Sequence, residues 1–168
     1  MLFHISEDAD IEEFIPRSAG ATLDALVWAI DARHLRNYLL PRDCPRVTYS
    51  AVPTTTGADR EQFLAGHNAV VAIETAWLER VRNARVFCYQ LSPETFELLD
   101  AAAGYFVSRK SVRPQRVDVI DDTPARLQAL DVELRVLSNL WDLHDSVAAS
   151  SLEFSMIRMR HAEPRVDR

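Results

Sequence analysis

The stretch Leu26-Val27-Trp28-Ala29-Ile30-Asp31-Ala32-Arg33-His34-Leu35-Arg36-Asn37-Tyr38-Leu39-Leu40-Pro41-Arg42-Asp43-Cys44-Pro45-Arg46-Val47 decides how the chain is read. Leu26–Ile30 is a short apolar run of strand length. Asp31 can open a helix expected over Ala32–Leu40, and Pro41 ends it because proline cannot continue the hydrogen-bond ladder. Arg46–Val52, rich in β-branched and aromatic residues, then reads as a second strand. Strand, short helix and strand in so few residues point to an α+β chain of brief elements.

The same grammar continues outward. Leu2–Ser6 reads as a strand starting almost at the first residue, followed by a short helix through Ile11 and Phe14 capped by Asp8 or Asp10. Ser18–Thr22 is a loop. Thr56 or Asp59 caps a helix through Leu64. Val70–Ile73, Arg85–Leu91, Tyr105–Ser108, Arg116–Ile120, Val132–Leu137 and Leu152–Arg160 read as strands. Between them lie helices over Glu74–Arg82, at Ser92-Pro93-Glu94, over Thr123–Ala129 and over Leu140–Ser150. About eight short strands and about five or six short helices, without the regular alternation of a doubly wound sheet, predict a mixed, mostly antiparallel, curved sheet. Residues 1–161 are expected to form a single α+β domain, with 162–168 as a frayed polar tail.

Composition narrows the function classes. A chain of 168 residues, 48% hydrophobic and 26% charged, suits one soluble domain. Its net charge of −6 argues against a general nucleic-acid binder, which needs excess positive charge to displace counterions. No leader and no apolar run of membrane-spanning length stand out, so the cytoplasm is the expected compartment. All its basic residues but Lys110 are Arg, which supplies bidentate donors for carboxylate and phosphate but no deprotonated amine. Two cysteines, Cys44 and Cys88, are too few for a disulfide framework or a zinc site, and no metal site is expected. A glycine-rich phosphate cradle is excluded with only 4 Gly in the chain.

Candidate site residues come from three places. His4 and Ser6 share one face at the end of the first strand. Asp31, His34 and Tyr38 fall on one face of the expected helix by their spacing. The proline-stiffened Pro41-Arg42-Asp43-Cys44-Pro45-Arg46 presents Arg42 and Arg46 as an anion clamp. At the other end of the chain, Glu153 and Ser155 share a face of the last strand, with Arg158 and Arg160 on the other unless a bulge near Met156-Ile157 re-aims them.

Two resemblances follow from these residues. L-F-H-I-S with I-E-E-F-I-P-R, the block from V-W-A-I-D to P-R-D-C-P-R-V, and the ending S-L-E-F-S-M-I-R-M-R together resemble an uncharacterised bacterial domain family of unknown function. The first-strand His, a short helix and P-R after it, then a strand ending in a small residue and a helix with Tyr, are remotely similar to the ADP-ribosyltransferase-like fold. That resemblance implies a cleft for a nucleotide such as NAD, with His4 on the ribose and Trp28, Ala29 and Tyr38 in the second wall. Gly104 or Tyr105 stands where the fold's catalytic Glu is expected, and the nearest acid is Asp100. Glu153 would have to substitute.

The expectation is therefore a protein binding a nucleotide or another phosphorylated small molecule in an Arg-lined cleft. Its binding residues are His4, Ser6, Trp28, His34, Tyr38, Arg42, Arg46, Arg158 and Arg160. If it is catalytic, it acts as a transferase with Glu153 and His4. Two alternatives stay open: a non-enzymatic protein-interaction or stress-module domain, and a hydrolase using Cys44 or Ser6.

Overall fold

Period-2 alternation and β-branched content make strands of most of the expected segments in the computed structural model, which describes residues 1–18 and 24–165. In chain order these are β1 (Leu2–Ser6), β2 (Arg17–Ser18), β3 (Ala25–Ile30), β4 (Arg46–Ser50), β5 (Ala69–Glu74), β6 (Val86–Leu91), β7 (Glu97–Asp100), β8 (Tyr105–Ser108), β9 (Arg116–Ile120), β10 (Val132–Leu137) and β11 (Glu153–Ile157). The helices are α1 (Gly57–Asp59), α2 (Leu78–Asn83), α3 (Thr123–Ala129) and α4 (Trp141–Ala148), with several shorter turns. The α+β class holds. The loop expected over Ser18–Thr22 lies, from residue 19 on, outside the described residues.

The backbone gathers into two units, residues 1–39 with 85–121 and residues 40–84 with 122–168. The first unit carries an antiparallel sheet in the order β7-β8-β3-β1-β6-β9, with β2 paired to β3. One face holds a core of Leu2, Phe14, Val27, Ala29, Tyr89, Leu91 and Val112. Phe14 reaches it through a bridge to Val112 rather than on the helix expected there. Strand β7 has no counterpart in the sequence expectation. All four residues of Glu-Leu-Leu-Asp are exposed at the sheet edge, and the two adjacent leucines give no apolar-polar alternation to read.

The second unit carries the mixed sheet β10-β5-β4-β11, in which β10 and β5 run parallel and the other pairs antiparallel. Val47, Tyr49, Val70 and Ala72 pack there against Phe63, Leu140, Val147 and Leu152. All five residues of β4 are buried, and all six of β5.

Local chemistry sets several boundaries. The Thr56 side chain accepts from Asp59 N–H and caps α1, as its position predicts. At α3 the cap is Asp122, its carboxylate accepting from Ala125 N–H at 2.9 Å. The last strand ends at Ile157, because Arg158 adopts a left-handed conformation (φ 56°) and a turn over Met159–His161 follows. The tail is tied down through residue 165. Glu163 N–H donates to both oxygens of buried Glu74, and Trp141 Nε1–H donates to Glu163 O at 2.8 Å. Arg165 pairs with both carboxylate oxygens of Asp145 at 2.6 and 3.0 Å.

Candidate functional site

The helix expected over Ala32–Leu40 is a tighter turn, helical only over Leu35–Tyr38. Asp31 Oδ1 accepts from the His34 backbone N–H at 2.8 Å, and Asn37 N–H donates three residues back to His34 O, the closure of a 3-10 turn rather than of an α-helix. Pro41 closes off any further turn. The same Oδ1 takes a second bond from His34 Nδ1 at 2.8 Å. Asp31 and His34 thus meet as their spacing suggested, while Tyr38 turns to a different partner.

That partner is Tyr105. The two hydroxyls are 2.6 Å apart, linking the turn to the first residue of β8. Tyr105 in turn sits edge-on to Trp28, with ring centroids 5.6 Å apart and planes at 88°. The register Phe3↔Ile30 and Ile30↔Tyr105 places Phe3, Ile5, Trp28, Ile30 and Tyr105 on one face of the first unit's sheet. Over that face lies a mainly apolar concavity of about 390 Å³, walled by these residues and by Tyr38 and bordered by His4 and Ala29. Of the residues expected at a site, His4, Trp28 and Tyr38 border this concavity.

His4 borders it from the far side of the pleat. Alternation turns its ring toward Phe14, at 4.7 Å between centroids, and its Nδ1–H donates to Trp28 O at 2.8 Å. Ser6, on the same side, accepts from Asp8 N–H at 3.1 Å. Tyr105 and Ile30 escaped the sequence reading as site residues. The available signal was an aromatic opening a strand directly after Gly104, whose φ of +66° a glycine adopts without strain.

The arginines belong to the second unit and are arranged differently. Arg46 is 2% exposed, and its Nη1 donates to the carbonyls of Pro41 at 3.2 Å and Cys44 at 2.8 Å. Arg158 Nε donates to Arg42 O at 3.2 Å and lies 3.8 Å from Asp43. Arg160 Nε donates to His161 Nε2 at 3.0 Å, and His161 Nδ1 donates to Asp43 O at 2.9 Å. These donors lash the proline loop to the last turn. Glu153 is half-buried and accepts from Ser50 Oγ at 3.4 Å. Burial pushes the Cys44 thiol up to about 12 despite the opposing charge of Arg46. A thiol so placed is a packing residue, not a thiolate nucleophile.

A further polar network of this unit is also structural in form. Arg135 donates to both Glu133 oxygens at 2.9 and 2.8 Å and to the Tyr49 hydroxyl at 2.7 Å. Burial raises the Tyr49 phenol to about 12. Among the described residues no group of three or more His, Cys, Asp or Glu gathers to hold a metal ion, and no helix is long and apolar enough to cross a membrane.

Comparison with known families gives one result. The model described as "Family of unknown function (DUF6886)" matches residues 3–162. The chain belongs to that family. Neither curated proteins nor solved structures returned a match. The match takes in residues of both units, while the family itself supplies no reaction.

Proposed function

We propose that the protein binds a small molecule through a flat ring, with the ring seated in the concavity of the first unit among Trp28, Tyr38 and Tyr105. The observation that carries this reading is the aromatic lining: three rings, two of them joined through their hydroxyls, around about 390 Å³ of mainly apolar space. Such a pocket, apolar with a few converging polar groups, is the usual form of a small-molecule site. Edge-on and offset contacts to aromatic walls favour a planar guest over a branched one of equal size. A nucleobase or a nicotinamide ring fits this chemistry, and the sequence resemblance to the ADP-ribosyltransferase-like fold points the same way. The arginine loop adds no comparable support, because Arg46 is committed to backbone carbonyls.

Binding, rather than turnover, is the activity proposed. The test is titration with adenosine, AMP, nicotinamide and NAD, followed by calorimetry and by Trp28 fluorescence in a Trp77→Phe, Trp141→Phe background. At least one ring-bearing compound binds, and Trp28→Ala weakens it about tenfold or more. Retained affinity in Trp28→Ala, or no response to any of the four, overturns the reading.

A further inference from the structure

The first unit's sheet ends in two terminal strands, and one of them is patterned to meet a copy of itself. β9 closes the sheet beside β6, so one of its edges faces no further strand of that sheet. A terminal strand of this kind is a template for another strand. Val117 and Val119 stand across from Tyr89 and Phe87 of β6, on the face that carries the core. Tyr89 is fully buried there, whereas Val117 is 38% and Val119 56% exposed. The apolar layer therefore runs on past its cover to the edge, as it does at interaction surfaces.

Arg116 and Asp118 occupy the opposite face by alternation. Arg116 Nε donates to Asp118 Oδ1 at 2.6 Å, and Gln90 Nε2 donates to Asp118 Oδ2 at 2.7 Å. The pattern of charge is self-complementary. Against a second β9 laid antiparallel, with the two-fold axis on Val117, each Arg116 meets the other copy's Asp118 and Val117 meets Val117. Opposite charges directly across an antiparallel pair stabilise it, and like charges destabilise it. Moving the axis one residue either way sets Asp118 on Asp118 or Arg116 on Arg116, so charge selects one register.

The far edge lacks this property. β7 carries Glu97 and Asp100 at its ends, which the same operation sets against each other, and its register with β8 shifts between Leu98 and Asp100. Like charges and an irregular register guard an edge.

We propose that the protein forms a two-fold homodimer through β9, the two antiparallel sheets joining edge to edge. A chain of net charge −6 repels its copies at long range, and β9 supplies the local alternation of charge that answers this. The pairing is independent of the ring site, and neither reading needs the other.

Sedimentation equilibrium of the full chain shows a species of twice the chain mass, with a Kd of roughly micromolar order. Arg116→Asp and Asp118→Arg each weaken association about tenfold or more, because each sets like charges opposite one another in both pairs. Mixed together, the two variants recover association, since every opposed pair of the mixed dimer is again acid against base. A wild type that stays monomeric to about 1 mM overturns the proposal. So does a dimer that both variants leave unchanged, in which the copies meet on another surface, or a mixture that associates no better than its components. Should either variant fail to fold, a nitroxide on Val117→Cys decides, with buried Cys44 and Cys88 left unlabelled. Residues opposed in an antiparallel pair have Cα atoms about 5 Å apart, so the two labels lie within about 20 Å and broaden each other's spectrum. An unbroadened spectrum at concentrations where the mass is doubled overturns the pairing.

Discussion

Leu26–Val47 begins in one unit and ends in the other, and its two halves spend their chemistry in opposite ways. The first half lends Trp28, Ile30 and Tyr38 to a concavity that keeps open space between aromatic walls. The second half folds Arg46 inward, where it donates to Pro41 and Cys44 carbonyls of its own loop. The reason is range. Aromatic walls are assembled from β1, β3, β8 and the turn, none of which can collapse onto the others without breaking sheet register. A guanidinium has several donors on a long stem and reaches the nearest unsatisfied carbonyls, which a proline loop supplies. A rich local composition therefore marks a stiffened loop, and a thinner scatter of aromatics lines the concavity.

This contrast breaks most readily at Gly104. Gly104→Ala forces a Cβ into His34 at a positive φ, with an expected loss of about 3 kcal/mol of stability, read by urea denaturation. A loss under about 1 kcal/mol means that the pair relaxes freely and is not a built arrangement.

Next in size is Arg46→Ala, which strips two loop carbonyls of their donor. It costs about 2 kcal/mol, whereas Arg160→Ala, at an exposed position, costs about 0.5 kcal/mol or less. Equal effects by thermal unfolding would erase the distinction between a buried structural arginine and a surface one.

The smallest effect is confined to acid. The Arg165 guanidinium, aided by His144, lowers the Asp145 carboxyl from 3.8 to about 2. A depressed carboxyl stabilises the fold above its ordinary range, and that contribution is lost as pH falls from about 4 toward 2. Asp145→Asn flattens the stability profile inside that window and leaves its shape above pH 5 alone, as measured by denaturation across pH. A profile identical to wild type between pH 4 and 2 would show the tail pair to be idle.

Much of the fold was legible. Tyr105–Ser108, Arg116–Ile120, Val132–Leu137 and Thr123–Ala129 have the bounds that alternation, turn residues and Pro124 predict. Each depends on neighbours within a few residues, and so does the cap at Thr56. The helix expected after Asp31 is instead a 3-10 turn over Leu35–Tyr38, with Asn37 N–H bonded three residues back to His34 O. The Asp31–His34 contact was nonetheless legible, since a separation of three residues brings the two together in either geometry.

The site's membership was less legible. Tyr38 gave no sign of Tyr105 as its partner, and nothing local announced that a Cβ at residue 104 has no room beside His34. Nor did Arg46 reveal that its donors face inward. What the sequence by itself determined is where the chain pleats, turns and stops, because those outcomes follow from backbone sterics and nearest polar partners. Only the tertiary structure decided which aromatics share a cavity and which carbonyls Arg46 meets. Those outcomes depend on register between strands far apart in the chain, and one residue of register exchanges every side chain between the two faces of a sheet.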